Sequence, residues 1–224
     1  MTLAITGASG KTGWRIADEA LKRGQAVRAI LRGGSVLPAA LQGRDHLEVV
    51  RLELGDAGGL RQALRGCDAL LIATGARPSI DLAGPLKVDA LAIRDQLAAC
   101  KAAGVGRVVL VSSLCAGRWL HPLNLFGLIL VWKRLGEQWL ETSGLDWTIV
   151  RPGGLSEDDS RAEDEGVVYS GPDTQESNSI PRRLVARVCL DALETTASIG
   201  RIIEVTSSPS QAPTPLQQWL GAES

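Results

Sequence analysis

The strongest constraint on the fold is a glycine-spaced segment that follows the first apolar run. Thr2–Gly7 (TLAITG) predicts a strand, and Lys11–Arg23 has the pattern of a helix. Gly7, Gly10 and Gly13 lie at this junction, three residues apart. Glycine permits a sharp turn, close approach of another group to the backbone, and tight packing of a helix on a strand. The segment therefore predicts the first β-α unit of a parallel sheet.

The rest of the chain alternates short apolar runs with helical patterns. Further strands are predicted at 26–32 (AVRAILR), 47–54 (LEVVRLEL), 68–74 (DALLIAT), 107–113 (RVVLVSS) and 147–152 (WTIVRP), and long helices at Pro85–Ala103 and Asn124–Ser143. Val108–Val111 is apolar at consecutive positions, as expected for a strand buried on both faces. Repeated β-α-β units predict an α/β fold with a doubly wound parallel sheet, and 224 residues suffice for a single domain.

The pattern weakens after Pro152, where we expect a small C-terminal annex on the substrate side. Gly153–Gly166 is acidic and poor in apolar residues, which predicts a mobile loop within a mobile segment of residues 153–181. Beyond it we expect a short strand (VVYSG), a helix (SIPRRLVARVCLDAL) with Ser179 near its cap and Pro181 in its first turn, a last strand (RIIEVTS) and a terminal helix (TPLQQWL).

The glycine loop also predicts phosphate binding. In Thr6–Gly13 (TGASGKTG), free amides at the start of the helix would face a phosphate group. The letters GKT suggest a nucleoside triphosphatase. The phosphate-binding loop of such enzymes needs a glycine at position 5, where Ile5 stands inside the strand. Dinucleotide binding is therefore favoured over triphosphate hydrolysis. A tight turn without a ligand is the alternative.

The end of the second strand indicates which dinucleotide is bound. An NAD site usually has an acidic residue there, whereas this strand ends at Arg32, followed by two glycines. Arginine suits a 2′-phosphate through charge-assisted hydrogen bonds, so NADP(H) is favoured over NAD; a solvated arginine is the alternative. Asp56 either contacts the adenine edge or caps the helix that follows it, and both interpretations stay open.

Charge and cysteine usage exclude several other functions. The formal net charge of -1 offers no general affinity for nucleic acid. The four cysteines form no Cys-x-x-Cys pair and do not cluster with histidine, so we expect reduced, mostly buried thiols and no metal site. The start of the chain has no basic segment or cleavage site, so we expect no signal peptide and a cytoplasmic location.

The longest apolar run is Leu123–Trp132 (LNLFGLILVW). It is shorter than the roughly 18 apolar residues that a membrane-spanning helix needs, so we expect no membrane span. A buried helix is the favoured interpretation. The alternatives are peripheral contact with a membrane and an exposed face that packs against a second copy in a homodimer. With a buried helix, the protein would be a monomer or a homodimer formed elsewhere.

These motifs together resemble a known family. TGASGKTG, the strand-end Arg32, LELGD, ATG, VVLVSS, WKRLGEQWLETSGLDWTIVRPGGL and SIPRRLVA are similar to the atypical short-chain dehydrogenase/reductase family, NAD(P)-binding NmrA-like branch. The match runs from Thr2 to about residue 205, and Lys133–Leu155 is its most specific part. Relatives include the flavin reductase/biliverdin-IXβ reductase group and proteins tied to photosynthetic membranes. The resemblance implies a Rossmann fold that binds NADP(H) at the carboxyl ends of its strands.

The resemblance also implies positions for the site residues. The pyrophosphate would be surrounded by Gly7, Ser9, Gly10, Lys11, Thr12 and Gly13. The 2′-phosphate would meet Arg32, the adenine would meet Asp56, and the cofactor ribose would lie along Ala73, Thr74 and Gly75. The nicotinamide end would be lined by Ser112, Ser113, Lys133, Pro152, Gly153 and Gly154.

The expected proton donor is missing from this chain. The family's dehydrogenases normally carry Tyr-x-x-x-Lys, but Ile129 stands four residues before Lys133, and Tyr169 is the one tyrosine in the chain. Alcohol–ketone dehydrogenation is therefore in doubt, because that reaction needs a positioned acid. Lys133 keeps its role at the nicotinamide ribose unless it is a surface lysine.

Other proton donors are weaker candidates. Ser112 and Ser113 either orient a carbonyl group or serve as strand-end caps. His121 lies in a loop expected to border the substrate pocket, where a structural role is more common than a catalytic one. We expect Tyr169 to have a packing role.

Three hypotheses for function follow. The leading one is hydride transfer from NADPH to a small planar conjugated acceptor of the flavin or bilin type, which can take its proton from solvent. The second is a non-catalytic NADP(H)-binding redox sensor, or an assembly or regulatory factor for a membrane complex. An epimerase is the weakest hypothesis, because such relatives generally keep the tyrosine.

Overall fold

The protein is described by a computed structural model that covers residues 1–53, 55–75, 83–118, 120–125, 127–175 and 177–222. Its strands are β1 (Thr2–Thr6), β2 (Ala26–Leu31), β3 (Leu47–Arg51), β4 (Ala69–Ile72), β5 (Arg107–Val111), β6 (Asp146–Pro152), β7 (Gly154–Ser156), β8 (Gly166–Ser170), β9 (Ser179–Pro181) and β10 (Arg201–Ser208). Its α-helices are α1 (Gly13–Lys22), α2 (Ala57–Leu64), α3 (Ala92–Ala103), α4 (Ile129–Glu141), α5 (Arg161–Asp164), α6 (Arg182–Glu194) and α7 (Leu216–Ala222). A π-helix, Leu86–Leu91, runs directly into α3.

The main sheet has eight strands in the order β3-β2-β1-β4-β5-β6-β10-β8. All neighbouring pairs are parallel except β8, which pairs antiparallel with β10 at one edge. The chain leaves β3 at the other edge and returns to the middle as β4, beside β1. This confirms the predicted doubly wound α/β sheet. The reversal of strand order opens a crevice at the carboxyl ends of β1 and β4, where ligands bind in such folds.

Helices bury apolar side chains on both faces of the sheet. On one face, α1 and α6 pack against Leu3 and Ile5 of β1. On the other face, α2, α3 and α4 pack against Ala4 of β1 and Leu70 of β4. Successive residues of one strand therefore belong to opposite cores, which explains why the strands are apolar at consecutive positions.

The predicted helix over Asn124–Ser143 is wrong in its first turn. Residues Pro122–Leu125 form a 3₁₀ turn, and α4 begins only at Ile129. Gly127 and Leu128 have left-handed backbone conformations, with φ of 79° and 57°, which a continuous right-handed helix excludes. Apolar spacing alone does not reveal this break.

In the apolar run Leu123–Trp132, the leucines before Ile129 are exposed, whereas Asn124 is buried. Ile129 and Leu130 are buried, whereas Leu123 and Leu125 are 40% and 83% exposed. The buried-helix interpretation is therefore wrong for the 3₁₀ turn. Within the described ranges, no helix is long and apolar enough to span a bilayer.

The annex contains more regular structure than the sequence predicts. The predicted loop Gly153–Gly166 holds β7 and the short helix α5, and β7 pairs in parallel with β9. Ser179 and Pro181 belong to β9, and Pro181 is the N-cap residue of α6 instead of lying in its first turn. These elements are stabilised by pairing between strands that are distant in sequence. The local pattern of apolar residues does not predict such pairing. The mobility of residues 153–181 stays a prediction.

The cysteines are buried, and the tyrosine packs against another aromatic ring. Cys67, Cys100, Cys115 and Cys189 lie outside any disulfide and are buried, and their burial is as expected. Burial raises the pKa of the Cys100 thiol to about 12, so this thiol stays protonated. Tyr169 stacks on Trp219 with ring centroids 5.5 Å apart, which is the packing role that we expected.

Candidate functional site

The glycine loop is held by close backbone contacts. Gly7 has φ of +78°, and a Cβ atom there would lie 2.6 Å from the carbonyl oxygen of Ala73. A Cβ atom on Gly13 would lie 2.1 Å from the carbonyl oxygen of Gly7. The Gly10 N–H donates to that same oxygen at 2.8 Å and closes the turn. Any side chain at Gly7 or Gly13 would therefore push β1, β4 and α1 apart.

The first turn of α1 is the natural place for a phosphate group. Thr12 is the N-cap residue, but its side chain makes no capping hydrogen bond. The Thr12 hydroxyl instead accepts a hydrogen bond from Arg182 Nη1 at 2.9 Å. Amide groups at a helix start that no side chain caps attract anions, and the helix dipole adds to this attraction.

The remaining strand ends lie along the same edge of the sheet. The Ala73 N–H donates to Thr6 O at 3.0 Å, which continues the β1–β4 pairing beyond both strands. The Ser112 N–H donates to Val150 O, and the Leu114 N–H donates to Pro152 O. The predicted segments after β4, β5 and β6 are thus adjacent in the order that a dinucleotide would cross them.

Lys133 reaches this edge from α4. Its Nζ donates to Asp89 Oδ1 at 2.8 Å, and the two side chains are 14% and 1% exposed. A Cβ atom on Gly75 would lie 3.6 Å from Nζ. The lysine that the sequence assigns to the nicotinamide ribose therefore stands at the end of β4, and it is not a freely solvated surface residue.

Asp89 is a site residue that the sequence reasoning missed. It lies in the π-helix, a form common at functional sites. A Cβ atom on Gly136 would lie 2.3 Å from Asp89 O, so glycine lets α4 pack directly on the π-helix. The available signal was an aspartate among apolar residues in LKVDAL, since a buried carboxylate needs a charged partner.

Two hydroxyls at this edge have no partner among the described residues. They are Thr74 Oγ1, after β4, and Ser112 Oγ, after β5, and both atoms are buried. Buried polar atoms are nearly always hydrogen-bonded, so these two can accept or donate to a bound polar ligand. Ser113 is only half-buried. The glycine cradle, the lysine and the unpartnered hydroxyls fit a nicotinamide dinucleotide.

A buried arginine positions the loop after β6. Arg151 donates from Nε and Nη2 to the two oxygens of Glu137, at 3.0 and 2.7 Å. Burial lowers the pKa of Arg151, but hydrogen bonds and the charge of Glu137 outweigh burial and raise it. Gly153 follows closely, and a Cβ atom there would lie 2.4 Å from Asn178 O. Pro152, Gly153 and Gly154 are thus held between α4 and the annex.

The predicted 2′-phosphate end carries charges of both signs. Arg32 directly follows β2 and is exposed. Arg51, at the end of β3, donates from Nη1 to Gly33 O and Ser35 O at 3.2 and 2.6 Å, in the loop that Arg32 begins. Glu53 Oε1 lies 3.8 Å from the position of a Cβ atom on Gly33. Two arginines and one carboxylate therefore lie around the loop that follows β2.

Asp56 and His121 have local roles. Asp56 Oδ1 accepts the N–H of Gly59 at 2.9 Å and caps α2, which confirms the capping interpretation, while its contact with adenine stays a prediction. His121 Nδ1 accepts the N–H of Leu123 at 3.3 Å. This bond is typical of a structural histidine, and a catalytic role stays a prediction.

The tyrosine position is filled by an apolar side chain. Ile129 is 7% exposed and packs in a small core with Leu114, Cys115 and Leu130. The Ile129 side chain packs in this apolar cluster and has no proton to donate. In the part of the chain that the structure describes, no three His, Cys, Asp or Glu side chains are grouped to hold a metal ion.

Comparisons with known proteins show the family and several relatives of this chain. A family model described as NAD(P)H-binding matches residues 7–196. An uncharacterised chloroplastic protein of Arabidopsis thaliana is 36% identical over 214 residues, covering 91% of this chain and 75% of that protein. Sanguinarine reductase of Eschscholzia californica is 29% identical over 252 residues, covering 93% and 90%. A solved structure of an anaerobilin reductase from Escherichia coli O157:H7 has a TM-score of 0.73 and 25% identity, covering 96% and 100%.

We expect Gly13→Ala to lower the free energy of unfolding by about 1–3 kcal/mol, because its methyl group would overlap Gly7 O. The variant should also lose most of its NAD(P)H affinity, since the cradle must open. Chemical denaturation and titration of NADPH fluorescence would measure the two effects. Gly106→Ala is the control, because a Cβ atom there meets nothing within 4 Å. Equal behaviour of the two variants would contradict the packing argument.

We expect Asp89→Asn and Lys133→Met each to lower the free energy of unfolding by about 3 kcal/mol, because each removes one charge of a nearly buried ion pair. The double variant should lose less than the sum of the two. Asp95→Asn, which breaks an exposed pair with Arg94, is the control. Strictly additive losses in urea denaturation would show that the two charges are not coupled.

Proposed function

Because this chain belongs to the NAD(P)H-binding family, we propose that it is an NADP(H)-dependent reductase of a planar conjugated acceptor of the flavin or bilin type. The family, an atypical short-chain dehydrogenase/reductase of the NmrA-like branch, is the one that the sequence predicts. Two of its relatives are named as reductases, one of sanguinarine and one of anaerobilin. The acceptor class and the NADP preference are our own inference.

One observation carries the proposal: the cofactor cradle is complete although the tyrosine position holds buried Ile129. Reduction of a simple ketone needs an acid at the oxygen that takes up charge. A conjugated acceptor spreads that charge over its rings and takes its proton from solvent or from its own acidic groups. Loss of the tyrosine with retention of Lys133 therefore favours conjugated acceptors. It also disfavours an epimerase.

The described residues divide the work of such a reaction. Bound NADPH supplies the hydride. The glycine loop and the start of α1 hold the pyrophosphate, and Lys133, oriented by Asp89, binds the nicotinamide ribose. The Ser112 and Thr74 hydroxyls, which are buried and unpartnered within the described ranges, orient the nicotinamide end. Orientation in a dry site supplies much of the rate enhancement for hydride transfer.

The preference for NADP(H) is supported by Arg32, at the start of the loop after β2, and by Arg51 of β3, which donates to carbonyl groups of that loop. A 2′-phosphate carries more negative charge than a ribose hydroxyl and would use an exposed arginine through charge-assisted bonds. Glu53, which follows β3 and lies near Gly33, opposes this preference. The balance of two arginines against one carboxylate favours the phosphorylated cofactor.

The alternative, a non-catalytic NADP(H)-binding sensor or assembly factor, is favoured by one observation. Leu120 and Leu125, in the segment before α4, are 100% and 83% exposed. Exposed apolar side chains next to a ligand site are suited to a partner or to peripheral membrane contact. A cytoplasmic location and a monomeric or homodimeric state remain predictions.

We expect Arg32→Ala to weaken NADPH binding about tenfold or more and to change NADH binding by less than about twofold, because only NADPH carries the 2′-phosphate. Isothermal titration of both cofactors would measure this difference. Arg61→Ala, an exposed arginine in α2, is the control. Equal losses for NADPH and NADH would contradict the 2′-phosphate assignment.

We expect the protein to oxidise NADPH in the presence of free flavins or linear tetrapyrroles, measured by the loss of reduced-nicotinamide absorbance. Lys133→Met should abolish turnover, and Tyr169→Phe should leave it unchanged because that ring packs on Trp219. If NADPH binds but no acceptor in a broad panel is reduced, the reductase proposal is wrong. A partner captured only with NADPH bound would then support the sensor function.

A further inference from the structure

A cluster of charges joins the annex to the start of α1. Lys11, in the glycine loop, forms an ion pair with Glu157 of the annex. Arg15, in the first turn of α1, forms an ion pair with Asp159 of the annex. Arg182, the first residue of α6, reaches the same place through its bond to Thr12. These charges surround the turn where the pyrophosphate is expected. Of these residues, only Lys11 and Thr12 belong to the site that the sequence predicts.

Arg15 already has a dedicated partner. Its side chain is 7% exposed, and its Nε lies 2.8 Å from both oxygens of Asp159. Its Nη1 donates to Lys11 O at 2.7 Å, which holds the guanidinium along α1. Arg15 therefore serves to tie the annex to α1, and its charge is largely neutralised.

Arg182 lacks such a partner. Among the described residues its one hydrogen bond is from Nη1 to the Thr12 hydroxyl, and its Nε is buried without an acceptor. Burial lowers the pKa of Arg182, with the charge of Arg15 acting in the same direction and that of Glu157 against it. The next residue, Arg183, instead contacts Asp18 and Glu19 at 2.6 and 3.0 Å. Arg182 is thus a half-buried cation with unused donors beside the phosphate loop.

Glu157 is the carboxylate that pairs with Lys11 of the glycine loop. It is exposed and forms an ion pair with Lys11. The bond from Lys11 lowers the pKa of Glu157, and the charges of Lys11, Arg182 and Arg15 lower it further. Its carboxylate therefore lies where an anion gains from two cations and a helix start together.

We propose that Arg182 binds the pyrophosphate of the dinucleotide, and that Glu157 competes with that pyrophosphate for Lys11. The inference rests on the dinucleotide site of the proposed function, but it is independent of the reaction and of the 2′-phosphate. Arginine presents a fork of donors that matches phosphate oxygens, and Nε is part of that fork. The bonds of Arg183 to α1 fix the start of α6, so little freedom is lost on binding.

This arrangement makes cofactor binding an exchange of anions. Glu157 carries one negative charge and the pyrophosphate carries two, so the exchange favours the dinucleotide. Because Glu157 lies on the annex, bound dinucleotide releases one of the contacts between the annex and α1. The Arg15–Asp159 and Arg183–Asp18 pairs remain, so the annex stays attached.

The test is the affinity of NADPH and NADH for Arg182→Met and Glu157→Gln. Arg182→Met should weaken both dinucleotides about tenfold or more, since both carry the pyrophosphate. Arg187→Met is its control, one turn further along α6 and paired with Glu163. Arg182→Lys keeps the charge without the fork and should lie between wild type and Arg182→Met.

Glu157→Gln should strengthen the binding of both dinucleotides severalfold, and a misfolded variant cannot produce that result. About the same gain should appear when Glu157→Gln is added to Arg182→Met, because Glu157 acts through Lys11. Glu163→Gln, an exposed carboxylate of the same annex, should change nothing. Unchanged affinity in Arg182→Met, or weaker binding by Glu157→Gln, would overturn the proposal. Normal dinucleotide binding without turnover would contradict the reductase function alone.

Discussion

The buried contact between Arg151 and Glu137 is the interaction on which the candidate site depends. Arg151 is 1% exposed at the end of β6, and Glu137 is fully buried on α4, the helix that carries Lys133. Removing one partner of a buried pair costs about 3–5 kcal/mol, because the other charge is left without compensation. The pair therefore fixes α4 against the sheet and sets where the lysine reaches.

The same arginine extends this order into the annex. Its Nη1 contacts Asp173 at 3.0 Å, and it lies near Glu204 of β10. Glu204 in turn accepts the backbone N–H groups of residues 173–175. One charged network thus links the nicotinamide end of the sheet to the segment that should enclose the substrate. A fully satisfied network of this kind favours one arrangement over others.

The absent tyrosine has a different meaning in this setting. Ile129 fills its position with an apolar side chain that completes a small core, so the position is structural here. The polar groups proposed to bind the cofactor lie elsewhere, in the glycine loop, on strand ends and on α4, which carries Lys133. Cofactor binding and proton transfer are therefore separable in this fold, and loss of the second leaves the first in place.

The fold and the cofactor cradle were predictable from sequence because their signals are local. Consecutive apolar residues report strands buried on both faces, and the glycines of the first loop report backbone contacts that exclude a side chain. Strands β8 and β10 and helices α6 and α7 were predicted correctly, whereas the loop Gly153–Gly166 and the start of α4 were predicted incorrectly. The β7–β9 pairing joins distant residues, and the left-handed Leu128 is not encoded in apolar spacing.

By itself, the sequence determined the doubly wound sheet, the glycine loop before α1 and the absence of a tyrosine four residues before Lys133. Only the tertiary structure decided which charges meet. Asp89 binds Lys133 across 44 positions of the chain, and Glu157 binds Lys11 across 146. An ion pair depends on distance in space and on shared burial, and neither quantity is written in residue order.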